Sequence, residues 1–120
     1  MRILVTGGVG YIGSHTSRVL KDHGHKVLIL DNLSRGNPEV AKKILKIPLV
    51  IGNIGDKTLL KELLSGKHKS LKGTDFENKP IQALIHFAAL AYVGESVKEP
   101  LKYYQNNFNE TIKLLDVICD

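Results

Sequence analysis

Apolar residues gather in four short runs along this chain: Arg2–Thr6, Lys26–Leu30, Ile47–Ile51 and Ile81–Phe87. Each is rich in Ile, Leu and Val, and the apolar positions are continuous rather than alternating. Such runs predict strands buried on both faces. Between them the period changes to three and four. Tyr11–His23 carries Ile12, Val19 and Leu20 at helical spacing, with Gly24 where a C-terminal cap belongs. Pro38–Lys46 predicts a short helix with Pro38 in its first turn. Lys57–Leu64 predicts another, with Asp56 as its N-cap. Pro100–Cys119 predicts a long one. Its Leu101, Tyr104, Phe108, Ile112, Leu115 and Ile118 have the spacing of an amphipathic helix that turns one face to a core. Ser65–Pro80 is polar and rich in turn formers, and predicts a loop with freedom to move.

The order β-α-β-α-β-α-β-α fits a partial Rossmann-type fold, a doubly wound parallel α/β sheet of four strands ordered 3-2-1-4. No repeat and no interdomain linker interrupts it. At 120 residues the chain holds one domain, read as the N-terminal part of a nucleotide-binding domain with no substrate domain. Strand 4 is apolar on both faces and lies at an open edge, where association with another chain is expected.

Composition narrows the function classes. The chain carries 17 Lys and Arg against 12 Asp and Glu, a net charge of +5. The lysines are scattered and aromatics make up only 6%, which reads as a solvated surface and not a nucleic-acid face. Cys119 is the single cysteine, so no internal disulfide forms, and a lone thiol suits the cytoplasm. No apolar run approaches the roughly 20 residues of a membrane span. The apolar start at Met1 is too short for a signal peptide and runs straight into glycines.

Candidate chemistry begins after strand 1. Gly7, Gly10 and Gly13 stand as G-x-x-G-x-x-G between a strand and a helix. In that context Gly7 turns the chain off the strand, Gly10 admits a pyrophosphate to the backbone, and Gly13 lets the helix pack closely. The helix N-terminus adds free N–H groups and positive dipole charge. Asp31 ends strand 2, where a carboxylate accepts from ribose hydroxyls and repels a 2′-phosphate, favouring NAD over NADP. A turn or capping role for Asp31 stays open, and Arg35 nearby tempers the cofactor preference. Strands 1 and 4 leave in opposite directions, so the crevice between them is the switch point. Phe87, Ala88, Ala89, Leu90 and Ala91 wall it, with small residues that let a cofactor lie against backbone.

With these residues placed, the chain resembles the N-terminal part of the UDP-glucose 4-epimerases, within the extended short-chain dehydrogenase/reductase family. The likeness rests on TGGVGYIGSHT (6–16), LDNLSRG (30–36), GNIGD (52–56) and IHFAALAYVGESVKEPLKYYQNN (85–107). It implies bound NAD, with the Tyr11 and Ile12 backbone at the pyrophosphate. Asp31, Asn32, Ser34, Arg35 and Gly36 would surround the adenosine ribose, and Asn53 and Ile54 would flank the adenine. Phe87 to Ala91 would border the nicotinamide, with Asn106 holding that region from the long helix. The family usually has Asp at the place of Asn53 and Gly-Leu-Lys at that of Ala89-Leu90-Ala91.

The same resemblance implies a reaction. A hydride passes from sugar C4 to NAD and returns to the other face of a 4-keto intermediate, with a Tyr base and a Lys four residues later. Here Tyr11, Tyr92, Tyr103 and Tyr104 are followed at that distance by His15, Ser96, Asn107 and Phe108. No Y-x-x-x-K occurs, so the base and the UDP-sugar site are expected beyond residue 120. No catalytic residue and no metal ligand is assigned. The chain is expected to be inactive alone and to meet a UDP-sugar only with a complementing C-terminal half. The alternatives are a stand-alone NAD-binding module and a gene remnant without function.

Overall fold

The computed structural model describes all 120 residues. Its strands are β1 (Arg2–Thr6), β2 (Lys26–Asp31), β3 (Leu49–Ile51) and β4 (Ala83–His86). They form one sheet in the order β3-β2-β1-β4, and every pairing is parallel. The fold is therefore a partial Rossmann-type α/β sheet, as the apolar runs predict. β3 and β4 are shorter than their runs, although Pro48 O still accepts from Ile29 N, Gln82 N donates to Arg2 O and Phe87 N to Thr6 O at the strand ends.

Alternation along the strands builds two cores. Ile3, Val5, Val27 and Ile29 face one side, against Val9, Ala41, Leu45 and Ile47. This side is covered by α1 (Tyr11–Asp22) and by α2 (Val40–Leu45), a short wide helical turn closed by Lys46 at φ 52°. Leu4, Leu28 and Leu30 face the other side, against Leu60, Leu63, Leu114 and Val117. Those come from α3 (Lys57–Leu64), N-capped by Asp56 as predicted, and from the C-terminal rod α5 (Pro100–Cys119). The rod α5 comprises three contiguous helical segments, Pro100–Tyr103, Tyr104–Asn109 and Glu110–Cys119. A further helix, α4 (Val93–Lys98), has no counterpart in the sequence reading. Gly94 and the polar Glu95-Ser96 pair hide its short period.

Two expectations need correction. The segment 65–80 is not a loose loop: Leu71 and Phe76 are 1% and 2% exposed and plug the second core. A short helical turn, Lys69–Leu71, and the bonds from Asn78 N to Gly66 O and Ile81 N to Leu64 O fix it. Two apolar anchors in a sixteen-residue stretch that is otherwise polar, glycine or proline leave no periodicity to read. The second correction concerns α5. Its predicted stripe is exposed, from Leu101 at 82% to Ile112 at 43%. The buried face is the narrow one through Leu114 and Val117. The rod is apolar on more than one side, so spacing alone does not say which side meets the sheet.

Removing the Phe76 ring tests the first correction. Phe76→Ala is expected to lower the unfolding free energy by about 3–5 kcal/mol. The measurement is urea denaturation followed by circular dichroism. A loss under about 1 kcal/mol would return the segment to the surface.

Candidate cofactor crevice

Parallel pairing brings the C-terminal ends of all four strands to one edge, and there the crevice opens. It encloses about 520 Å³, within the range of small-molecule sites. Gly7 begins its floor at φ 71°, and a Cβ there would press on the Ala88 backbone. Gly7 N donates to Leu30 O at 2.9 Å, joining the glycine loop to β2. A Cβ at Gly13 would overlap the Gly7 carbonyl oxygen, so only glycine lets α1 start this close to the loop. No side chain caps the N-terminus of α1 at Gly10. Its first N–H groups are left for something else to satisfy.

Of the residues singled out in the sequence, fourteen line this crevice: Gly7, Gly10, Asp31, Asn32, Ser34, Arg35, Gly36, Asn53, Ile54, Phe87, Ala88, Ala89, Leu90 and Asn106. Tyr11 and Ile12 open α1 with their side chains turned to solvent. Gly13 lies beneath the loop, and Ala91 falls just outside the wall. The lining also includes Leu30, Gly52, Lys102, Gln105 and Glu110, which the sequence reading missed.

Asp31 does local work on both sides. Its Oδ2 accepts from Val9 N at 3.2 Å and its Oδ1 from Leu33 N at 2.9 Å. It thus ties the glycine loop to the turn after β2, while lone pairs on both oxygens remain for ribose hydroxyls. Asn32 Oδ1 accepts from Ser34 N, and Asn32 Nδ2 donates to Asn53 Oδ1 at 3.0 Å. The amide oxygen at position 53 is already engaged by a neighbour.

The opposite wall is held by a file of hydrogen bonds. Thr111 Oγ1 donates to Asn107 O at 2.8 Å, so it accepts from His86 Nε2 at 3.1 Å. His86 Nδ1 then accepts from Thr6 Oγ1 at 2.6 Å, and Thr6 Oγ1 accepts from Ala88 N at 3.4 Å. This network assigns the Nε2–H tautomer. Asn107 completes the wall: its Oδ1 accepts from Leu90 N at 2.8 Å and its Nδ2 donates to Leu90 O at 2.7 Å. The residue that clamps the 87–91 segment is therefore Asn107. Asn106 lines the crevice and donates to Asn107 Oδ1. Asn107 and Thr111, four apart on α5, were the available sign of a polar strip facing the sheet.

Burial holds His86 below the usual imidazole range, because the interior disfavours the charged ring. A histidine depressed in the folded state is protonated first in the unfolded chain. Its contribution is complete above the unfolded value, about 6.5, and is lost as pH falls through that value toward the folded one. The urea midpoint is thus expected to decline between about pH 7 and pH 5, and His86→Gln is expected to flatten that decline. Parallel titrations in both proteins check it; equal slopes would clear His86 of the effect.

The comparisons with known proteins agree with this geometry. The profile of the NAD dependent epimerase/dehydratase family matches residues 3–120. A UDP-glucose 4-epimerase of Yersinia enterocolitica is 42% identical over 124 residues, covering 99% of this chain and 33% of that protein. One of Klebsiella pneumoniae is 39% identical, covering 98% of this chain and 80% of that protein. The crystal structure of UDP-glucose-4-epimerase from Stenotrophomonas maltophila, with bound NAD and formylated UDP-arabinopyranose, superposes with a TM-score of 0.83 at 36% identity. It covers 98% of this chain and 33% of that one. The chain thus spans about a third of the length of the first and third of these relatives. A strand–glycine loop–helix edge, an acidic end to β2 and a family match over nearly every residue lead to one conclusion: the chain belongs to the NAD dependent epimerase/dehydratase family.

Proposed function

We propose that residues 1–120 form the NAD-holding part of a UDP-sugar 4-epimerase. The observation that carries this reading is the crevice itself. It is walled by the glycine loop on one side and by Phe87–Leu90 on the other, with Asp31 at the end of β2. The uncapped α1 N-terminus suits a pyrophosphate. The free lone pairs of Asp31 suit the adenosine ribose. Relatives at 36–42% identity carry names and complexes that point the same way. Bound NAD would supply the hydride acceptor and donor. The residues of this chain would orient it and exclude water from one side.

Catalysis needs groups outside this chain. None of its tyrosines is followed four positions later by a lysine, and a missing general base alone costs about 10²–10⁴-fold. A complementing C-terminal half would provide the base and the UDP-sugar site. It would join along β4, which has a partner on one side only. No helix is long and apolar enough to cross a membrane, and the lone thiol fits a cytoplasmic setting.

Calorimetric titration with NAD tests the reading. The 120-residue chain is expected to bind with a sub-millimolar Kd, and Asp31→Ala to weaken binding by about tenfold or more. It is expected to show no epimerase turnover by itself. A folded chain that ignores NAD would sink the proposal, and so would epimerisation by residues 1–120 alone.

A further inference from the structure

The crevice is lined by two cations, Arg35 and Lys102, and neither is free. Both bind the same carboxylate. Arg35 Nη2 pairs with Glu95 Oε2, and Lys102 Nζ lies 2.6 Å from Glu95 Oε1. Tyr103 Oη donates to Glu95 Oε2 at 3.1 Å and accepts from Tyr92 N at 3.0 Å. The guanidinium of Arg35 also stacks over the Tyr92 ring, 4.7 Å from its centroid. The Glu95 side chain is 20% exposed. Lys102 donates to Glu95, and this bond chiefly holds the carboxyl below its ordinary range and raises the Lys102 ammonium. Glu95 of α4 therefore engages cations from two other elements at the mouth of the crevice; Lys102 is also paired with Glu99 at 3.3 Å, so Arg35 is the cation that depends on Glu95 alone.

The position of Arg35 gives this arrangement its meaning. It stands four residues past Asp31, in the turn that closes one end of the crevice. A dinucleotide carrying a 2′-phosphate brings a dianion to that end. Asp31 repels it, so acceptance depends on a cation able to turn toward it. Arginine is the best such group, because its planar fork matches a phosphate in two hydrogen bonds. Here Nη2 of that fork is turned onto Glu95 and the guanidinium face onto Tyr92, which orients the group away from a two-bond phosphate contact.

We propose that Glu95 is a specificity-determining residue: it withholds Arg35 from the adenosine end and thereby disfavours dinucleotides phosphorylated at the 2′-hydroxyl. This rests on the NAD-binding reading and adds to it a residue outside the crevice lining. Glu95 touches no cofactor in this account. It acts through Arg35, and its effect depends on Arg35 being present.

The test measures Kd for NAD and for NADP, by calorimetry, in the unaltered chain, Glu95→Gln, Arg35→Gln and the double variant. Glu95→Gln is expected to shift the ratio of the two affinities toward NADP by about tenfold, the scale of a hydrogen bond between charged partners. The double variant is expected to return to the original ratio. Glu95→Ala removes the same bonds through a different side chain, and is expected to give the same shift if Glu95→Gln folds poorly. NAD binding with an unchanged ratio in both Glu95 variants overturns the inference alone. A shift that survives in the double variant overturns it too, since Arg35 would then not carry it. Absence of binding for either dinucleotide in the unaltered, folded chain overturns the functional reading and this inference together.

Discussion

Burial of a parallel sheet on both faces is the constraint on which this structure depends. β1 and β2 present Leu4, Leu28 and Leu30 to one core and Ile3, Val5, Val27 and Ile29 to the other. A chain with so few residues can satisfy that demand only by crossing over the sheet after every strand. The crossovers bring every strand out at the same edge, and the change of direction between β2 and β4 around β1 opens a gap there. The crevice is thus a by-product of covering the sheet. Its chemistry comes from what occupies the edge: a glycine loop, one aspartate and a run of small residues.

Strand order, the positions of α1 and α3, and the glycine loop were legible because each depends on a local signal. Four continuous apolar runs, an Asp56 N-cap and a glycine triplet between strand and helix leave few alternatives. What stayed hidden depends on distance in the chain. Phe76 and Leu71 reach the core from a segment whose composition is that of a loop. The bonds joining His86 to Thr6 and Thr111 span 80 and 25 residues. Glu95 reads as one acidic residue in a short polar helix until folding brings Arg35 against it, 60 residues away. The direction of α5 was ambiguous for a different reason. Apolar residues occupy more than one side of that helix, and only the sheet chooses between them.

The two walls of the crevice are held by different physics. On the β2 side, charge dominates: Asp31 gathers backbone N–H groups, and Glu95 gathers Arg35 and Lys102. The Glu95 ion pairs lie near solvent and weaken with salt. On the β4 side the bonds are neutral and half-buried, running from Thr6 through His86 to Asn107. Ionic strength therefore loosens the hold of Glu95 on Arg35 before it disturbs the 87–91 segment.

The file through Thr6, His86 and Thr111 has one more property. It starts at an amide N–H of Ala88 and ends at a carbonyl oxygen of Asn107, and neither end can exchange roles. Every hydroxyl and ring nitrogen between them is thereby given a fixed polarity. Reversing the file would leave a donor facing a donor at one end and two lone pairs facing each other at the other. His86 sits at the edge of the crevice, yet it cannot pass a proton along this line. It is a strut, and proton traffic near this sheet edge has to run through groups other than this histidine.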